Sequence, residues 1–222
     1  MLGRPPAALL FDLDGTLVDS APDLAAALDA TLLQAGYAAA GIDVARGWVG
    51  NGARKLLQRA LAHARRCDES ELPAPEIDSL LAYFFDVYER GCTDKTVLYP
   101  GVMDALQVWH KRGIRLACVT NKPEHFARII IEHFSLGRIM PVVLGGDSLP
   151  TRKPAPEPLW EACKQLSVAV GDTIMVGDSS NDVLAARAAG MPVVAVPYGY
   201  NYGSAIADST PDLVIEHLDM LL

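Results

Sequence analysis

No two cysteines of this 222-residue chain stand in CxxC spacing, and no cluster of histidines and cysteines has zinc-site spacing. Cys67, Cys92, Cys118 and Cys163 are therefore expected to be plain reduced thiols. The histidines His63, His110, His125, His133 and His217 form no metal-spaced set either. Basic excess is also missing. The formal net charge is −8, which argues against a general binder of nucleic acid or membrane surfaces. A small anionic substrate stays open, because local lysines and a metal can hold one. No apolar run is long enough to span a bilayer. One Arg and two Pro ahead of a very short apolar run do not make an export signal, so a cytoplasmic protein is expected. Repeats and low-complexity tracts are absent. What remains, half apolar (50%) and 21% charged, is a globular composition with enough chain for one large domain or two small ones.

Five short apolar runs punctuate the chain: Ala7–Phe11, Ile114–Val119, Val142–Leu144, Thr173–Val176 and Val193–Val196. Continuous runs of this length suit parallel strands buried on both faces. Helical patterns such as "VMDALQVWHKRG", "EPLWEACKQL" and "NDVLAARAAG" lie between them. Strand–helix alternation predicts an α/β fold with a doubly wound parallel sheet. From Ala21 to about Thr96 the pattern is helical only, which is too long for a crossover and too ordered for a loop. An all-helical subdomain over 20–96, inserted into a discontinuous core of 1–19 and 97–222, is expected.

In an open parallel sheet, ligands bind at the carboxyl ends of the strands. Asp12 and Asp14 follow the first run, Thr120 and Asn121 the second. Gly146, Asp147 and then Lys153 follow the third; Asp178 and Asp182 follow the fourth. Taken singly, each has an ordinary explanation: a helix cap, a turn, a surface lysine. Asp12-x-Asp14 is harder to dismiss, because two like charges at a buried edge need a counter-ion. Mg²⁺ takes carboxylates, waters and a substrate phosphate, and a lysine, a hydroxyl and backbone N–H groups complete a phosphoryl site. Chemistry then assigns Asp12 as nucleophile and Asp14 as the group that protonates the leaving oxygen and activates water. Lys153 offsets charge, Thr120 and the N–H of Asn121 hold phosphoryl oxygens, and Asp12, Asp14, Asp178 and Asp182 are the candidate metal residues.

"DLDGT", "VTN", "RKPAPEP" and "GDSSND", in that order, resemble the motifs of the haloacid dehalogenase superfamily. The resemblance covers essentially the whole chain and implies a Rossmann-like core, a helical cap and Mg²⁺-dependent hydrolysis through an aspartyl phosphate. "WVGNGARKLLQRAL", "LGGDSLPTRKPAPEPL" and "YGYNYG" are similar to bacterial phosphoglycolate phosphatases, implying 2-phosphoglycolate as substrate. Other small phosphates, such as sugar phosphates or N-acetylmuramic acid 6-phosphate, and a phosphomutase activity are the alternatives. A dehalogenase needs no second aspartate. A receiver-like phospho-switch would carry adjacent acids and no large insert. The turn Gly50–Asn51–Gly52 with Arg54 is the candidate contact for a substrate carboxylate, against the plainer reading of Arg54 and Lys55 as a solvated helix face. "GNGARK" follows no strand and lacks the third glycine of a dinucleotide loop. The expected partner is a small phosphorylated metabolite, bound by a monomer or homodimer, with no nucleic acid and no membrane.

Overall fold

The computed structural model describes residues 5–221; residues 1–4 and 222, the outer ends of the expected core, lie outside that range. Along the chain, β1 (Ala8–Phe11) and β2 (Val18–Asp19) lead into four helices, α1 (Ala21–Gln34), α2 (Ile42–Arg46), α3 (Ala53–Arg65) and α4 (Ala74–Gly91). Then follow β3 (Val97–Leu98), α5 (Val102–Lys111), β4 (Arg115–Val119), α6 (Glu124–His133), β5 (Val142–Leu144) and α7 (Glu157–Leu166). The chain closes with β6 (Thr173–Gly177), α8 (Ser180–Ala189), β7 (Val193–Ala195) and β8 (Leu213–Val214).

The main sheet has the order β5-β4-β1-β6-β7-β8, and every pairing in it is parallel. The last four residues of the motif-bearing run, Ala8–Phe11, sit at its centre, wholly buried. Side chains alternate along a strand. Leu9 and Phe11 therefore join one core layer with Leu106, Trp109 and Ile130, while Ala8 and Leu10 join the other with Leu159, Ala162 and Val183. The edge strand β8 was not among the five expected runs. It spans only two residues, both exposed, too short to stand out as a buried run.

Strand order switches at β1: later strands are added first on its β4 side, then on its β6 side. That switch opens a crevice beyond the carboxyl end of β1. Above it stand α1 to α4, with a core of their own around Leu28, Leu57, Leu61, Phe84 and Tyr88. Phe126 of α6 and Tyr200 of the loop after β7 join that core from below. The two chain crossings between the sheet and the helices pair as an antiparallel ribbon of β2 and β3. Among the described residues no helix is long and apolar enough to cross a membrane.

Asp23, buried in the first turn of α1, fastens that ribbon. Its carboxylate accepts from the Lys95 N–H at 3.0 Å, the Thr96 N–H at 2.8 Å and the Thr96 hydroxyl at 2.7 Å. Asp23→Ala strands these donors and is expected to cost about 1–3 kcal/mol. Urea unfolding with an unchanged m value checks it.

Candidate active site

Asp12 is held in register because its N–H continues the β1–β6 pairing, reaching the Val176 carbonyl at 3.0 Å. Its Oδ1 accepts from the Leu13 N–H at 2.7 Å and lies 3.1 Å from Lys153 Nζ. The chain then turns sharply at Gly15, whose φ of +87° lies in the left-handed region. A Cβ there would also stand 2.3 Å from Asp178 Oδ2. The turn sends Asp14 to the opposite side, where Lys122 Nζ donates to both its oxygens at 3.1 Å and the Ser20 hydroxyl donates to one of them.

Asp12, Asp178 and Asp182 each offer an oxygen within 4.8 Å of the others, and all three are buried. Asp178 accepts from Thr16 Oγ1 at 2.9 Å and the Tyr200 N–H at 2.7 Å. Asp182 closes a capping box with Ser179 at the start of α8 and accepts from Lys153 Nζ at 2.6 Å. Asp14, expected as a fourth metal residue, lies outside this trio; its carboxylate is committed to Lys122 and Ser20.

Crowding shows in the electrostatics. Burial pushes the Asp12 carboxyl up to about 6; Lys153 pulls it down, while Asp182 and Asp14 add to the rise. Burial, then Asp12 and Asp182, raise Asp178 well above the ordinary carboxylate range. Burial alone would lower Lys153, but Asp12 and Asp182 outweigh it and hold its ammonium above its ordinary range. The same balance holds for Lys122, with Asp14 and Tyr88 opposing burial. Counting Asp14, four carboxylates face two ammoniums, a formal deficit equal to one divalent cation. Three hard carboxylate donors suit Mg²⁺.

Thr120 and Asn121 are both buried at the end of β4. The Thr120 hydroxyl accepts from the Lys122 N–H at 3.2 Å, which leaves its own proton free to donate. The side-chain N–H groups of Asn121 are both engaged, Nδ2 donating to the Gly50 carbonyl at 3.0 Å and the Lys153 carbonyl at 2.9 Å, so a phosphoryl contact would fall to its backbone N–H. The side chain therefore joins the helical cap to the lysine loop.

A cavity between cap and sheet is floored by Asp12, Asp14, Thr120 and Lys122 and roofed by Val49, Gly50, Gly52, Ala53, Phe84 and Tyr88. It leaves about 30 Å³ for the centres of water-sized molecules. The Gly50–Gly52 turn thus faces the site, but Arg54 does not line this cavity. Arg54 pairs with Asp78 and Lys55 with Glu69, on a half-exposed face of α3. Helical spacing explains it: two positions past Gly52, the side chain has turned away from the roof. Lys122, by contrast, was not assigned a role from sequence. "TNKP" read as a turn, yet this lysine is 5% exposed, pairs with Asp14 and lies 4.8 Å from the Tyr88 ring centroid. Its place next to the second strand's Thr–Asn pair was the available signal.

Comparison with known proteins bears on this arrangement. A family model for haloacid dehalogenase-like hydrolases matches residues 6–190. A phosphoglycolate phosphatase of Pseudomonas fluorescens is 45% identical over 99% of this chain and 80% of its own length. A phosphoglycolate phosphatase of Psychrobacter arcticus is 44% identical over 96% of this chain and 93% of its own. Among solved structures, a predicted phosphoglycolate phosphatase from Haemophilus somnus superposes with a TM-score of 0.90 at 38% identity, covering 97% of this chain and 96% of that one.

The raised Asp12 pKa has a measurable consequence. Between the ordinary carboxylate range and about pH 6, the folded chain keeps a proton that the unfolded chain has released. Metal-free stability therefore falls as pH rises through that window. A divalent ion takes the proton's place. Thermal stabilisation by Mg²⁺ is expected to be larger at about pH 7.5 than at about pH 5, approaching about 2.7 kcal/mol at a hundredfold excess over Kd. Melting curves with and without Mg²⁺ at both pH values check it; an equal gain at both counts against the trio as the binding site.

Proposed function

The chain belongs to the haloacid dehalogenase-like hydrolases, and from that premise we propose that it is a Mg²⁺-dependent phosphatase converting 2-phosphoglycolate to glycolate and phosphate. The observation that carries the chemistry is the separation of two carboxylates of one turn into two environments. Asp12 sits against Lys153 at the buried metal trio, and Asp14 sits against Lys122 and Ser20.

In this reading Asp12 attacks phosphorus with one carboxylate oxygen, and the P–O bond to the leaving alkoxide breaks. Asp14 delivers a proton to that alkoxide, so glycolate leaves as a neutral alcohol group. Water then attacks the phosphorus of the acyl phosphate while Asp14 takes the proton back, which releases phosphate and restores Asp12. Lys153 holds Asp12 in place and offsets the charge of the phosphoryl group, with Asp182 fixing the lysine in turn. Thr120 donates its hydroxyl proton to a phosphoryl oxygen. Mg²⁺, held among Asp12, Asp178 and Asp182, would supply the positive charge that lets nucleophile and phosphate meet.

Substrate size is supported by the small space under the cap, which suits an ester of few carbons. Substrate identity is supported by the names of the relatives at 44% and 45% identity. Arg54 is no longer the candidate for the substrate carboxylate. The turn Gly50–Gly52 and the first N–H groups of α3 at the cavity roof take that place, where the helix dipole favours an anion.

Phosphate release from 2-phosphoglycolate, glucose phosphates, N-acetylmuramic acid 6-phosphate and p-nitrophenyl phosphate tests the substrate. A lead for 2-phosphoglycolate of about tenfold in kcat/KM, about 1.4 kcal/mol of transition-state discrimination, is expected. Another ester in the lead would replace it. Asp12→Asn is expected to abolish turnover of every ester that the wild type cleaves, and wild-type activity in that variant would refute the covalent route.

A further inference from the structure

The sequence "YGYNYG" has a structure that the proposed chemistry does not use. Its last tyrosine, Tyr202, is half-buried and has a φ of +52° and ψ of +28°. An aromatic residue rarely adopts the left-handed region, so surrounding contacts must hold it there.

Those contacts reach the cap. Tyr202 Oη accepts from Asn181 Nδ2 at 2.7 Å, and the same amide donates to the Gly50 carbonyl at 3.2 Å. Asn121 Nδ2 gives Gly50 its second donor at 3.0 Å. Asn181 and Asn121 are both buried. From the cap side, the Arg59 guanidinium lies 5.2 Å from the Tyr202 ring centroid. Arg59 also braces the turn itself, donating to the Trp48 carbonyl and to Asn51 Oδ1 at 2.7 Å each. Gly50 fits this seat only as glycine: its φ is +122°, and a Cβ would stand 2.5 Å from the Tyr202 oxygen. Tyr202 touches none of the reacting groups. It supports the part of the roof that lies over Asp12 and Asp14.

We propose that Tyr202 is a specificity-determining positioning residue: through Asn181 it sets how deeply the Gly50 turn of the cap seats over the aspartates, and so restricts the enzyme to short phosphomonoesters. This rests on the phosphatase reading, but not on 2-phosphoglycolate as the substrate. A short ester needs the seated turn to exclude water and to fill the space above the phosphate. A bulky ester has to push the turn away.

The test compares ethyl phosphate with p-nitrophenyl phosphate in the wild type, Tyr202→Phe and Gly50→Ala. Tyr202→Phe removes only the hydroxyl, and Gly50→Ala lifts the turn by adding the clashing methyl. Both are expected to lower the ratio of kcat/KM for ethyl phosphate over p-nitrophenyl phosphate by about five- to tenfold, the range for one lost hydrogen bond. KM for ethyl phosphate should rise, while kcat for p-nitrophenyl phosphate holds in Tyr202→Phe. An unchanged ratio in both folded variants, or an equal loss on both esters, overturns the proposal. Amide hydrogen exchange over residues 48–53 reads the seating without turnover. Faster exchange in Tyr202→Phe supports the proposal, and wild-type rates overturn it. If the wild type cleaves neither ester nor 2-phosphoglycolate, the phosphatase reading fails, and the exchange result still decides whether Tyr202 seats the turn.

Discussion

Four carboxylates and two ammoniums packed at the end of one central strand are the constraint from which the rest follows. Two like charges within 4.8 Å repel by about 3–4 kcal/mol at an effective dielectric of ~20. Such a cluster persists only if each oxygen is assigned a partner. Lys153 lies between Asp12 and Asp182, Asp178 accepts from Thr16 and the Tyr200 backbone, and Asp14 is drawn aside by Lys122 and Ser20. These partners come from loops after four parallel strands. The switch in strand order around β1 brings those loops to one crevice, so the fold's topology and the site's charge balance are one arrangement.

The helical cap is tied to that crevice by polar and aromatic contacts of different kinds. Tyr200 illustrates the polar ties. Its hydroxyl accepts from the Ser20 and Ala21 N–H groups at 3.0 and 3.1 Å, taking over the start of α1, and donates to Asp19 at 2.7 Å. Asp19 is also gripped by Arg46 of α2. One loop residue therefore touches a metal-trio carboxylate through its backbone and the cap's hinge through its side chain. Phe126 supplies the apolar tie, packing 5.1 Å from Tyr88, the ring that also covers Lys122. A shift of the cap would change the surroundings of Lys122 and hence of Asp14. Cap position and proton-transfer chemistry are coupled through that lysine in the proposed mechanism.

How much of this was legible in the sequence depended on whether a signal was local. Asp12 and Asp14 stood out because an apolar run ends in paired like charges. Lys153, Asp178 and Asp182 were legible from their places after successive strands. The doubly wound sheet could be read from fully apolar runs, since strands buried on both faces have no polar alternation to hide them. The missing pieces had only long-range causes. Leu213 and Val214 form a strand because β7 offers an edge, not because two exposed residues favour one. Val18–Asp19 and Val97–Leu98 pair across the whole helical insert. Tyr200 and Tyr202 read as loop residues because their partners, Ser20 and Gly50, lie about 150 to 180 positions away. Arg54 left two readings open. A basic residue beside a glycine turn resembles an anion site locally, and the phase of α3 instead sends it to Asp78 on a half-exposed face, in line with the plainer reading.

The two lysines are not interchangeable, and their difference explains why two aspartates one residue apart can do different work. Burial holds the Asp12 carboxyl up at about 6, and Lys153 pulls it down only in part, because its charge is shared with Asp182. In the proposed mechanism, further positive charge at the trio would complete its ionisation and steady it as the nucleophile. Lys122 serves Asp14 alone among the carboxylates, with both oxygens at 3.1 Å, and lies outside the trio. In the proposed mechanism Asp14 is the group that exchanges a proton with the leaving group and water. Separate environments on either side of one turn thus let a short motif hold both the proposed nucleophile and the proposed acid–base group.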